Sequence, residues 1–160
     1  MMAMMGFLQR GASVAFLLAI AATAASAQEM RTYAKKAAFE DVKFDLTNAI
    51  VAGGFTIDYN GQIGRMLERT GADVGSTKPI YRHAEFFTFC SARLSRQMME
   101  ADAANIGFCP YVIFIYETAD KPGETVVGYR RPTPSGNEAS RKALAAIDLL
   151  LDGLVKEAVK

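Results

Sequence analysis

The residues able to do chemistry in this 160-residue chain begin with Cys90, Cys109 and His83, its only cysteines and its only histidine. An even cysteine count in an oxidising environment favours a disulfide. Closing a loop of this length would stabilise the fold by about 3 kcal/mol in the chain-entropy account. Two separate buried thiols are the plain alternative, because free cysteine packs as a small apolar side chain. A third reading makes the sulfurs metal or haem ligands with His83, Met98 or Met99, since thiolate and thioether donors suit copper(I) and haem iron. No C-x-x-C or C-x-x-C-H spacing supports covalent haem attachment, and Met98 falls on core-facing helical spacing. No cofactor is therefore expected, with copper or haem as the alternative.

His83-Ala84-Glu85 matches the H-x-E fragment of zinc deaminases, with Glu85 in the general acid/base position. That chemistry also needs a downstream P-C-x-x-C pair, whereas Cys109 is followed by Pro110 and has no second cysteine. A Cys-His nucleophilic pair would lack a third group to orient the base. There is no G-x-S-x-G elbow and no phosphate loop. Arg130-Arg131 could contact an anion, but a charged pair at a strand end more often serves as a solvated edge that discourages aggregation. An enzyme is thus less expected than a binding protein.

Composition bounds the setting. The chain is 51% hydrophobic and 22% charged, with a formal net charge of +1, which suits one ordinary globular domain and excludes disordered or collagen-like classes. The near-neutral balance removes the basic footprint of a nucleic-acid binder. Residues 1–27 read as a cleavable signal peptide: Arg10 supplies the positive region, residues 11–22 a short apolar stretch, and Ala25-Ser26-Ala27 the cleavage pattern. Cleavage after Ala27 leaves Gln28 first, with 17 acidic residues balanced by the basic residues that remain. The apolar stretch falls short of the about 20 residues that cross a bilayer, and no later segment spans one. A periplasmic or secreted location is expected.

The elements that position these side chains follow from periodicity. Residues 31–38 predict a weak first strand. Residues 39–52 predict a helix burying Val42, Leu46, Ala49 and Ile50 and stopped by Gly53-Gly54. Residues 55–59 alternate as a strand, 63–70 form a short helix, and the aromatic-rich 84–89 a further strand. Ser91 caps the next helix. The apolar run 111–117 predicts a central strand buried on both faces, and 125–130 pairs back through a hairpin. Ser135-Gly136-Asn137-Glu138 has capping-box spacing before a final helix over 136–159 with Leu144, Ile147, Leu151, Leu154 and Val155 as its stripe. The order β-α-β-(short α)-β-α-β-β-α suits an α+β two-layer sandwich, a mainly antiparallel sheet with helices on one face. If Cys90 and Cys109 flanked a parallel crossover they would stand at opposite edges, beyond the roughly 7 Å that a bridge allows.

Gly54-Phe55, Phe89-Cys90-Ser91-Ala92, Phe108-Cys109-Pro110-Tyr111, Tyr116-Glu117 and Gly128-Tyr129-Arg130-Arg131-Pro132 stand in an order and spacing that resemble the family called domain of unknown function 302. The resemblance covers residues 34–134 of the single domain expected over 28–160. It implies a compact α+β domain, often dimeric, and supplies no catalytic residues. Cys90 and Cys109 occupy motif positions where other members often lack cysteine. The expectation that results is an exported, non-enzymatic binding or assembly domain, a homodimer that meets a periplasmic protein or small ligand. The alternative is a redox or metal/haem-handling protein built on Cys90 and Cys109.

Overall fold

The computed structural model describes residues 29–160; the proposed signal peptide and its cleavage site lie outside the described residues. The element order is β1 (Met30–Lys35), α1 (Phe39–Ala52), β2 (Ile57–Gly61), α2 (Ile63–Thr70), β3 (Tyr81–Phe89), α3 (Ala92–Ala101), a 3-10 turn (Ala103–Phe108), β4 (Tyr111–Thr118), β5 (Thr125–Arg130) and α4 (Glu138–Ala158). The strands form one sheet in the order β1-β5-β4-β3-β2, with every neighbouring pair antiparallel. The expected α+β architecture stands.

Local sequence explains the element ends. Val42, Leu46, Ala49 and Ile50 bury one face of α1, and Gly54, at φ 82°, turns the chain away after it. The Ser91 hydroxyl accepts from Leu94 N at 3.3 Å and caps α3. Asn137, rather than Ser135, caps α4, accepting from Ser140 N at 2.8 Å. The predicted stripe of α4 is buried in full. With Val42, Leu46 and Ile50 of α1 and Leu94 and Met98 of α3, it packs on Phe87, Phe89, Ile113, Ile115, Val127 and Tyr129 of the sheet.

A network of charge fastens α4 to the β1–β5 side of the sheet. The Tyr129 hydroxyl donates to Asp148 Oδ1 at 2.8 Å and Arg131 Nε to Asp148 Oδ2 at 2.9 Å. Asp152 takes the Tyr33 hydroxyl at 2.6 Å, Lys156 Nζ at 2.7 Å and Arg31 Nη1 at 3.2 Å. Burial opposes the charge on Asp152, but hydrogen bonds from Lys156, Tyr33 and Arg31 outweigh it and hold the carboxyl at about 2, against an ordinary 3.8. A carboxyl depressed by folding contributes stability that is present above its unfolded value and lost as pH falls through the folded one. Acidification from about pH 4 to about pH 2 is therefore expected to remove about 1 kcal/mol, allowing for solvent screening. Asp152→Asn should abolish that part of the acid limb in thermal melts recorded across the same range.

One sequence expectation is corrected. β4 is buried on one face only: Tyr111, Ile113, Ile115 and Glu117 are buried, while Val112 is exposed and Phe114, Tyr116 and Thr118 half-buried. The helices that build the core lie on one side of the sheet, so among the described residues no layer stands above the second apolar row of β4. The register carries that row across the sheet. Phe114 faces Phe86 on β3 and Gly128 on β5, Tyr116 faces Ala84 and Val126, and Val112 faces Thr88. Gly61 and Gly128 mark where rings lie flat on this surface. A Cβ at Gly61 would collide with the Phe86 ring, and one at Gly128 would stand 2.7 Å from Phe114 Cζ and 2.6 Å from the Arg31 carbonyl oxygen. Such rings cover strand glycines that have no side chain of their own to pack.

Candidate functional site

Antiparallel pairing of β3 with β4 decides the fate of the cysteines. Phe89 and Tyr111 are register partners, so Cys90, just past one strand, and Cys109, just before the other, meet at one end of the sheet. Their Cα atoms are 6.4 Å apart and their sulfurs are bridged. The parallel crossover that would have separated them does not occur, because α3 and the 3-10 turn fold back to the same end. Ser95 Oγ donates to Cys109 Sγ at 3.7 Å and shares a hydrogen bond with the Tyr111 hydroxyl at 3.1 Å. Burial raises the Tyr111 hydroxyl above its ordinary value. Both cysteines are half-buried, and the Cys109–Pro110 peptide is cis.

The other sulfur donors lie elsewhere in the packing. Met98 is fully buried in the core and Met99 packs at its border. Bridged sulfurs present no thiolate to a metal. Among the described residues, no three His, Cys, Asp or Glu side chains are grouped so as to hold a metal ion.

His83 sits toward the opposite end of β3 from the bridge, and Glu85 at the middle of the strand. Seven residues separate His83 from Cys90, about 20 Å along an extended strand, so the convergence that a deaminase or Cys-His enzyme requires does not form. His83 is exposed and stacks on Phe39 of α1, with ring centroids 4.8 Å apart. Glu85 lines the same cleft, a space of about 960 Å³ between α1, α2, residues 71–80 and β3. Its carboxylate accepts from Lys43 Nζ at 2.8 Å and Asn60 Nδ2 at 2.9 Å, while Gln62 Nε2 donates to Asn60 Oδ1 at 2.6 Å. Burial pushes the Glu85 carboxyl up, but these donors outweigh it and hold it below the usual value, so it stays an anion rather than a proton donor near neutral pH. Sequence reasoning missed Lys43, Asn60 and Gln62. They are polar residues on different elements, and only the tertiary fold brings them to Glu85.

Arg131 is engaged within the chain, by Asp148 and by Glu29 Oε2 at 3.0 Å. Arg130 is exposed and makes no ion pair among the described residues. It stands at the end of β5, opposite Met30, on the uncovered side of the sheet.

That uncovered side is the largest unusual feature of the molecule. Tyr59, Phe86, Val112, Phe114, Tyr116 and Val126 form its surface, with Tyr59 60% and Val112 40% exposed. Rings touch across it: Tyr59 with Phe86 at 5.8 Å, Phe114 with Tyr116 at 6.1 Å, and Tyr116 with Tyr81 at 5.5 Å. Arg130 stands at its margin. A sheet face that meets water usually alternates to polar residues. This one does not.

The chain is matched by the family model described as domain of unknown function DUF302 over residues 30–158. A search of the curated proteins finds no match. Among solved structures, it is similar to an uncharacterized conserved DUF302 protein from Bacillus stearothermophilus. The two are 15% identical with a TM-score of 0.68, over 82% of this chain and 99% of that one. At that identity the likeness speaks for the fold alone. With the family model spanning every described strand and helix, the chain belongs to the DUF302 family.

Proposed function

We propose that this chain is an exported, periplasmic, non-enzymatic binding and assembly domain that works as a homodimer through the uncovered face of its sheet. The observation that carries the reading is the continuous aromatic and aliphatic row of Tyr59, Phe86, Val112, Phe114, Tyr116 and Val126, free of charge at its centre. The largest exposed apolar patch of a protein is often an interaction surface. Five strands at about 4.8 Å spacing and about 3.3 Å per residue give a face of roughly 500 Å² in projection. A standard interface buries about 800 Å² per partner, so the rim of the face would have to join the contact. A second copy fits best, because an isologous contact needs a self-complementary surface and this one sets apolar rows against apolar rows. Two sheets packed about 10 Å apart would give a four-layer helix–sheet–sheet–helix assembly.

The Cys90–Cys109 bridge supports the exported setting, since disulfides persist in oxidising compartments. One observation favours the redox alternative: the bridge is half-buried rather than sealed, with the Ser95 hydroxyl on Cys109 Sγ. Sedimentation equilibrium of the chain from Gln28 onward tests the leading reading. The mass of two chains is expected at micromolar concentration. A single-chain mass across a hundredfold concentration range would overturn it.

A further inference from the structure

A trough of about 900 Å³ runs between α3 and α4 on the helical layer, away from the open sheet face. At one end Asn137 Nδ2 donates to the Ala101 carbonyl oxygen at 2.9 Å, which joins the end of α3 to the start of α4. The two helices therefore form facing walls, and Phe55 stands among the lining residues. The floor is apolar: Leu94, Ala143, Ala146 and Leu150 line it, and Leu149 at its lip is 73% exposed. Residues 139–150 of α4 border it, a run of roughly 16 Å at the helical rise of about 1.5 Å per residue.

The charges on the walls are unbalanced. Arg93 of α3 and Lys142 of α4 are exposed and make no ion pair among the described residues. Glu100, the carboxylate on the trough, is already held by Arg96 Nε at 2.7 Å. Apolar lining with a few fixed polar groups is the usual composition of a ligand site, and uncommitted cations beside it select for negative charge.

We propose that this trough binds a single-chain fatty carboxylate, with its acyl chain along Leu94, Ala146 and Leu150 and its head group beside Arg93 or Lys142. The inference stands apart from the dimer, because it uses the other layer of the molecule. Dodecanoate, kept below its micellar concentration, is the probe. Calorimetric titration is expected to show one saturable site per chain. In methyl NMR spectra the shifts should fall on Leu94, Leu149 and Leu150, leaving Val112 and Val126 unmoved. Dodecyltrimethylammonium, with the same chain and opposite charge, should bind at least about tenfold more weakly. Arg93→Glu combined with Lys142→Glu, both at exposed positions, should weaken dodecanoate at least about tenfold and leave the melting temperature unchanged. Ala146→Phe should block the trough. The proposal is overturned by equal binding of the two amphiphiles, by shifts on Val112 and Val126 instead, or by an unaltered dodecanoate affinity in the double charge variant. It is equally overturned by binding to anionic phosphatidylglycerol vesicles with no uptake of free dodecanoate.

Discussion

Phe114→Asp is expected to turn the proposed dimer into a monomer at every concentration a sedimentation run can reach. Phe114 sits at the middle of β4, and β4 is the middle strand of the sheet, so its ring marks the centre of the uncovered face. In an isologous interface each substitution occurs twice, once from each copy. Burying two unpaired carboxylates there costs several kcal/mol, and about 2.8 kcal/mol is already a hundredfold in dissociation constant. At least a hundredfold weakening is therefore the expected reading. Because the Phe114 ring also rests on Gly128, Val112→Asp serves as a second variant at a site 40% exposed in the single chain. It should dissociate the dimer while keeping the circular dichroism of the fold. Phe44→Asp, on the outer side of α1 at 65% exposure, should leave the mass unchanged.

Loss of the Cys90–Cys109 bridge is expected to have the largest effect on stability. The bridge spans a sequence separation of 19 and closes a loop holding α3 and the 3-10 turn. Cross-linking a loop of that order stabilises the folded state by about 3 kcal/mol in the chain-entropy account, which for a domain of this size corresponds to a melting temperature lower by about 10 °C when it is lost. The double variant Cys90→Ser, Cys109→Ser should show that fall. Reductant should reproduce it in the native chain and do nothing further to the variant. Equal melting temperatures with and without reductant would mean that the bridge carries no stability.

Local pattern made much of the fold legible. Val42, Leu46 and Ile50 recur at helical spacing, and Gly53-Gly54 closes them off, so α1 was readable to its ends. β3 begins at Tyr81, earlier than its aromatic run suggests, because Arg82 and His83 hide the start of the strand among polar residues. The apolar run of β4 marks a strand, but its second row is exposed or half-buried rather than buried. Periodicity reports which side chains avoid water, but not whether the same chain supplies the cover. The pairing of Cys90 with Cys109 depended on strand direction, which neither flanking segment encodes. The Glu85–Lys43 pair joins residues 42 positions apart and left no local signal. His83 and Glu85 form an H-x-E fragment in the sequence, and the fold places both on one cleft, but without the cysteine that would give the motif its chemistry.

What covers the second face of the sheet decides whether the chain works as a dimer. Isotope-filtered NOE spectroscopy on a mixture of labelled and unlabelled chains reads that contact directly, because its cross-peaks arise only between different copies. The expected cross-peaks join the methyl groups of Val112 and Val126 in one chain to the rings of Phe86, Phe114 and Tyr116 in the other. Intermolecular cross-peaks confined to the helical layer, or none at concentrations where the chain is saturated with any partner copy, would contradict it.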